Sequence, residues 1–233
     1  MIGSNIRKKM IISADDFGKS ELANRNTLKL AEEGKLNRVS VMTDGDFSHE
    51  ELKRLVGTGV KLDIHLHLGN RLEDREKVME SFIKRSIIFL SNYLFGIFSQ
   101  KRAEKEWENQ ITEFIKIAGR IPDGINAHRY DHFFPIYFPV AAKLAKKFQI
   151  ERIRFGKIIQ AGKNGLTSGI LNFFWKRNRV KILNSDLKSF SFCVNLDWIE
   201  NFSEFLKNPP PGETELVCHP ERKEEFDIIK KYF

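Results

Sequence analysis

The run Ile11-Ile12-Ser13-Ala14-Asp15-Asp16-Phe17-Gly18 constrains this chain most, because a short β-branched apolar segment ends there in two adjacent carboxylates and a glycine. Met10 to Ala14 is too short for a helix and reads as a buried strand, and Gly18 permits a sharp turn. Successive side chains on a strand point to opposite faces. Asp15 and Asp16 therefore reach one site only if the strand stops at them and the backbone bends. Such a strand tip suits chemistry, since catalytic groups in α/β barrels gather at the C-terminal ends of the strands. Ser20 fits the N-cap of the helix that follows, so neither aspartate is required there.

The rest of the chain alternates strand-like and helix-like segments. Further strands are expected at Val39–Met42, Val60–Leu68, Ile125–Ala127, Arg152–Phe155, Phe190–Leu196 and Glu215–Cys218. Helices are expected at Glu21–Glu33, ending at Gly34, after the capping box at Ser48, at Glu104–Ala118 and at Tyr137–Phe148. In Val60–Leu68 the residues Asp63, His65 and His67 share one face. This alternation predicts a parallel sheet or barrel with helices outside. A chain of 233 residues suffices for one such domain. The reading is therefore a single domain over 1–233, with a polar basic tail at 1–9 and a candidate insert at 84–102.

Met1 to Lys9 contains no apolar core of a signal peptide, and Ile87–Phe98 is too short to span a bilayer, so a soluble cytoplasmic protein is expected. Cys193 and Cys218, the only two cysteines, are too few for a disulfide framework and read as small buried residues. The formal charge of +8 favours an anionic partner without choosing among nucleic acid, lipid and phosphorylated substrate.

Five of the six histidines lie at or beside strand ends, namely His65, His67, His128, His132 and His219, whereas His49 reads as a surface residue. Imidazoles two apart on a strand face the same way. Together with the paired aspartates they suggest an open divalent-metal site of the kind that activates water for hydrolysis.

With those residues in place, a resemblance emerges. Ser13-Ala14-Asp15-Asp16-Phe17-Gly18, Val39-Ser40-Val41-Met42, Ile64-His65-Leu66, His128 and His132 before Phe133-Phe134-Pro135, Arg154, and Cys218-His219-Pro220 follow one another in this order. In that, the chain resembles the YdjC-like (ChbG/HpnK) carbohydrate deacetylases over most of its length. The resemblance implies a distorted TIM-like (β/α) barrel of about seven strands and removal of N-acetyl groups from amino sugars. It implies a divalent metal, magnesium first and zinc second, held by Asp16, His65 and His128, with Asp15 as the base. The implied partner is an acetylated amino sugar or lipid-linked glycan. Nucleic acid is not expected, and the oligomeric state is left open.

Three positions depart from the family pattern. Asn126 stands where an aspartate is common, and a neutral amide is not expected to orient an imidazole as a carboxylate would. Asp63 replaces a glycine, putting an extra carboxylate near His65. The chain also ends at Phe233, sooner after His219 than is usual.

In the expected mechanism Asp15 takes a proton from the attacking water and His219 gives one to the leaving amine, with His132 as the alternative acid. Arg154 orients Asp15 or makes a surface salt bridge. His132, His67, Arg154 and Asn126 are the candidates for contacting substrate or supporting the ligands. Two other functions compete. One is a phosphoesterase or amidohydrolase barrel with His65 and His67 as its ligand pair. The other is a barrel that binds carbohydrate or lipid without catalysis, for which Asn126 and the early C-terminus argue.

Two aromatic-basic stretches, Ser86–Ser99 and Phe173–Arg179, read most simply as a core-facing helix and a packed loop. Their second reading is a peripheral contact with an anionic membrane.

Overall fold

The computed structural model describes residues 10–69, 99–162 and 165–233. Six expected strands form, as β1 (Met10–Phe17), β2 (Arg38–Val41), β3 (Lys61–Leu66), β4 (Gly124–Ala127), β6 (Phe192–Asn195) and β7 (Thr214–Cys218), while β5 (Lys157–Ile158) lies just beyond the expected Arg152–Phe155. All neighbours pair in parallel in the order β4-β3-β2-β1-β7-β6-β5. Placing the first strand between the second and the last is what curls a sheet of βα units into a barrel. Closure is incomplete, because one parallel bridge between Ile125 and Ile153 takes the place of a ladder between β4 and β5. The result is a single α/β domain with the form of a distorted TIM barrel.

Seven α-helices accompany the strands among the described residues: α1 (Glu21–Glu32), α2 (His49–Gly57), α3 (Gln100–Ala118), α4 (Phe138–Lys147), α5 (Gly165–Leu183), α6 (Phe202–Lys207) and α7 (Lys223–Tyr232). Ser20 caps α1 through a bond from the Ala23 N–H, and Ser48 and Glu51 form the expected capping box on α2. α3 ends at Gly119 in the left-handed conformation that a glycine adopts without penalty.

The alternation along each strand separates two environments. Ile12 and Ala14, Val39 and Val41, Leu62 and Ile64, and Ile125 and Ala127 are buried members of the continuous apolar core. Their alternates are Ser13, Asp15, Arg38, Ser40, Asp63, His65, Asn126 and Glu215, all buried and polar. The inside of this barrel is thus a hydrogen-bonded polar column, unlike the layers of Val, Ile and Leu that fill an ordinary TIM barrel. At its base Arg38 forks onto Asp63, with Nε donating to Oδ2 at 2.8 Å and Nη2 to Oδ1.

Some expectations change. Phe173–Arg179 belongs to α5 and is not a loop, while the apolar pattern failed to announce α5, α6 or α7. Arg152 and Ile153 make single bridges and the ladder begins at Lys157, so Arg154 lies outside a strand. His67 falls just beyond β3. The tail 1–9, the stretch 86–98 and all of the 84–102 candidate insert before 99 lie outside the described residues; 100–102 open α3. Both cysteines are buried and unbridged, as expected. Among the described residues no helix is long and apolar enough to cross a membrane.

Candidate metal centre

The first strand does not simply stop at its aspartates. The β1–β2 register slips between Ala14 and Phe17, and Asp16 takes a φ of 68°. An L-residue in that region is strained by about 1–3 kcal/mol. The bulge lets the neighbouring aspartates serve the same mouth, each in its own direction. Beyond them Gly18, at φ 99°, passes so close to Gly45 of the β2 loop that a Cβ on Gly45 would lie 2.6 Å from the Gly18 Cα. Two backbones cross there, fixing the rim over the strand tips.

Asp16, His65 and His128, from the ends of β1, β3 and β4, bring one ligand atom each to a common point. Asp16 Oδ1 lies 3.2 Å from His65 Nε2 and 2.9 Å from His128 Nδ1, and the two nitrogens are 3.3 Å apart. Those separations suit one ion at the ~2.0–2.2 Å bond lengths of nitrogen and carboxylate ligands. Burial opposes the charge on Asp16, but the imidazole of His128 outweighs it and holds the carboxyl well below its usual range. The donor set is therefore one anionic oxygen and two imidazoles with the rest of a coordination sphere open, which fits a divalent cation.

Asn126 lies at the foot of this triad. The Nδ1–H of His65 donates to Asn126 Oδ1, the Asn126 amide donates to Ser40 Oγ at 2.8 Å, and Ser40 donates to Asp15 Oδ1 at 2.7 Å. Contrary to the expectation, the neutral amide does orient the imidazole. It needs no charge, because a buried carbonyl oxygen with a single N–H to accept fixes the tautomer and leaves Nε2 bare. Asp63, the extra carboxylate on the strand of His65, has both its oxygens engaged by Arg38.

Asp15 faces Arg154. The guanidinium donates to Oδ2 at 2.6 Å and to Oδ1 at 2.8 Å, a bidentate pair buried on both sides and no surface bridge. Burial works against the charge on Asp15, and Arg154 and His65 overcome it, keeping the carboxyl well below its usual range. The Arg154 Nη2 that bonds Asp15 also lies 3.1 Å from Glu215 Oε1 of β7, and Ser13 donates to the same Glu215 oxygen at 2.6 Å. Full burial raises the Glu215 pKa despite that arginine.

The remaining histidines separate. His132 is fully buried, and its Nε2–H donates to the Arg154 carbonyl at 2.7 Å; burial pushes its pKa down to about 3, so the ring is neutral and that proton is committed. His67 is not in the triad: its Nε2 lies 3.0 Å from Asp44 Oδ1 at the rim. His219 follows β7, with its N–H on Glu225 Oε2 at 2.8 Å and Nδ1 3.6 Å from that oxygen. Burial depresses its pKa, but Glu225 and Asp16 more than offset this and raise it.

Sequence reasoning passed over Glu215, Ser13, Ser40 and Lys19. Glu215 carried a signal, a charged residue inside the apolar run of β7. Lys19 places its ammonium 3.0 Å from Asp16 Oδ2 and also pairs with Glu221, leaving Oδ1 to face the imidazoles.

Comparison with known proteins agrees with this picture. The family model described as YdjC-like protein matches residues 9–231. The chain is 27% identical over 150 residues to a carbohydrate deacetylase of Enterococcus faecalis V583, covering 61% of this chain and 57% of that one. It is 26% identical over 143 residues to a chitooligosaccharide deacetylase of Enterobacter sp. strain 638, covering 60% and 56%. The matches thus span less than two thirds of those relatives. A crystal structure from Enterococcus faecalis V583, provisionally named a cellobiose-phosphate cleavage protein, superposes with a TM-score of 0.59 at 17% identity, over 90% of this chain and 79% of that one. At that identity the likeness speaks for the fold.

Proposed function

The chain belongs to the YdjC-like family, and from that premise we propose that it is a metal-dependent hydrolase that removes acetyl groups from an N-acetylated amino sugar. The observation that carries the reading is the meeting of Asp16, His65 and His128 beside a buried Asp15–Arg154 pair. The names of the curated relatives support the reaction class. A divalent ion held by the triad would supply a Lewis acid for the amide carbonyl and a water of lowered pKa. Two imidazoles among three ligands favour a zinc-like ion over magnesium, which prefers oxygen.

The protein's own groups do the rest. Asp15 stays ionised at any working pH and accepts the proton of the attacking water. The arginine that keeps Asp15 ionised also weakens it as a base, and an ion held by the triad would compensate by acidifying the water. Ser40 and Arg154 hold it at a fixed angle. His219, charged more readily than a free histidine, delivers a proton to the departing amine.

Acetate release from acetylated chitooligosaccharides, measured on chelated and on zinc- or magnesium-loaded protein, tests the reading. Release that requires metal is expected. Metal-loaded protein that deacetylates none of these sugars would overturn it.

A further inference from the structure

Six large apolar residues are exposed among the described residues, and four of them, Leu166, Phe173, Val180 and Leu183, belong to the single helix α5. Leu166, Phe173 and Val180 are seven apart, a spacing that a helix returns to within about 20° of the same direction. They are 65%, 56% and 55% exposed, and Leu183 is 78% exposed. The opposite side of the helix carries its buried contacts: Ser168, Leu171, Asn178 and Ile182. One face of α5 therefore seals the domain, and the other presents an apolar stripe of the kind that marks an interaction surface.

The charge on α5 selects what fits. Lys176, Arg177, Arg179 and Lys181 all lie exposed on it, and the helix has no Asp or Glu. Arg177 sits over the ring of Phe173 and Arg179 over that of Trp175, at 5.9 and 5.5 Å from the centroids. Apolar and cationic groups are thus interleaved along a helix about 28 Å long. A second copy of this chain would bring the same four cations against themselves. Nucleic acid would neutralise the cations but give nothing for burying leucine and valine. An anionic bilayer rewards both, taking the apolar stripe below its headgroups while the long basic side chains reach up to the phosphates.

We propose that α5 docks the protein on anionic membrane surfaces. The helix is tied to the turn that follows His128: Asn178 donates to the Phe133 carbonyl at 3.0 Å, and the rings of Phe174 and Phe134 lie 4.7 Å apart. Docking through α5 therefore holds the side of the barrel that supplies His128 close to the surface.

Co-sedimentation of the full chain with vesicles of phosphatidylcholine alone, and of phosphatidylcholine with phosphatidylglycerol, tests this independently of catalysis. The wild type is expected in the pellet with the mixed vesicles at low salt and in the supernatant with the neutral ones or at high salt. Phe173→Ser with Val180→Ser, and separately Lys176→Glu with Arg177→Glu, should each weaken binding at least tenfold. Because all four side chains are exposed, melting curves should match the wild type and show that the variants fold. Wild type that ignores anionic vesicles, or serine variants that bind them as well as wild type does, would overturn the proposal. A concentration-dependent dimer abolished by the serine pair would assign the stripe to a second copy instead. Oligonucleotide binding lost only in the charge-reversed pair, without vesicle binding, would assign the surface to nucleic acid.

Discussion

Asn126 accepts the Nδ1–H of His65, and through Ser40 the same amide is connected to Asp15. One neutral side chain on β4 thereby fixes both the tautomer of a metal ligand and the position of the carboxylate proposed as base. Removing it should loosen both.

Asn126→Ala should lower metal affinity by about 10–100-fold, the usual cost of losing the partner that orients a ligating histidine. Asn126→Asp should retain the affinity, since a carboxylate still accepts from Nδ1. Calorimetric titration with zinc decides this, and an unchanged affinity in Asn126→Ala would show that His65 is held by packing alone.

The adjacent aspartates should fail differently. Asp16→Asn removes the charged ligand from the triad and should lose metal binding and turnover together. Asp15→Asn leaves the triad intact and should bind metal while turnover falls about 100- to 10,000-fold, the range for general-base catalysis. Metal titration paired with acetate release separates the outcomes. Near-normal release by Asp15→Asn would withdraw the base assignment.

Much of this arrangement was legible in the sequence, for reasons of geometry. Asp16, His65 and His128 each follow a short apolar run, and a run that ends in a polar residue marks a strand tip however far apart the runs lie. Asn126 was located correctly but misjudged, and the partner of Asp63 was not foreseen, because both depend on neighbouring strands. Asp63 meets Arg38 of β2 and Asn126 meets His65 of β3, contacts between strands that one strand's pattern does not carry. α5 escaped because apolar residues run nearly all round it and no periodicity stands out. Glu215 stood out as a charge inside an apolar run, but its role escaped because its partner Arg154 comes from far along the chain.

His132 predicts a pH dependence of stability. The folded protein keeps its ring neutral down to about pH 3, whereas an unfolded chain protonates it near 6.5. Between those values the unfolded state binds more protons, so the contribution is fully present above 6.5 and is lost as pH falls toward 3. Well inside that window the loss is about 1.4 kcal/mol per pH unit. Replacing His132 by Gln, which keeps a donor for the Arg154 carbonyl, should remove this slope from urea-denaturation free energies measured across the window. Parallel curves for the two proteins would mean that the ring takes up a proton without unfolding.

Arg154 serves two buried carboxylates, bidentate to Asp15 and, through the same Nη2, 3.1 Å from Glu215. Arg154→Met keeps much of the volume but leaves both acids without their cation, and breaking a buried pair in this way costs about 3–5 kcal/mol. Adding Glu215→Gln removes one of the two stranded charges while keeping an amide oxygen to accept from Ser13. The double variant should therefore be more stable than Arg154→Met alone, although Glu215→Gln by itself strips the wild-type arginine of a partner and should destabilise. That sign reversal marks an ionised Glu215 coupled to Arg154, because residues that do not interact add within about 0.5 kcal/mol. Urea denaturation of the four proteins in the cycle measures it. Simple additivity would mean that Glu215 already carries a proton in the folded protein, in keeping with the upward shift that burial gives it, and that Arg154 serves Asp15 alone.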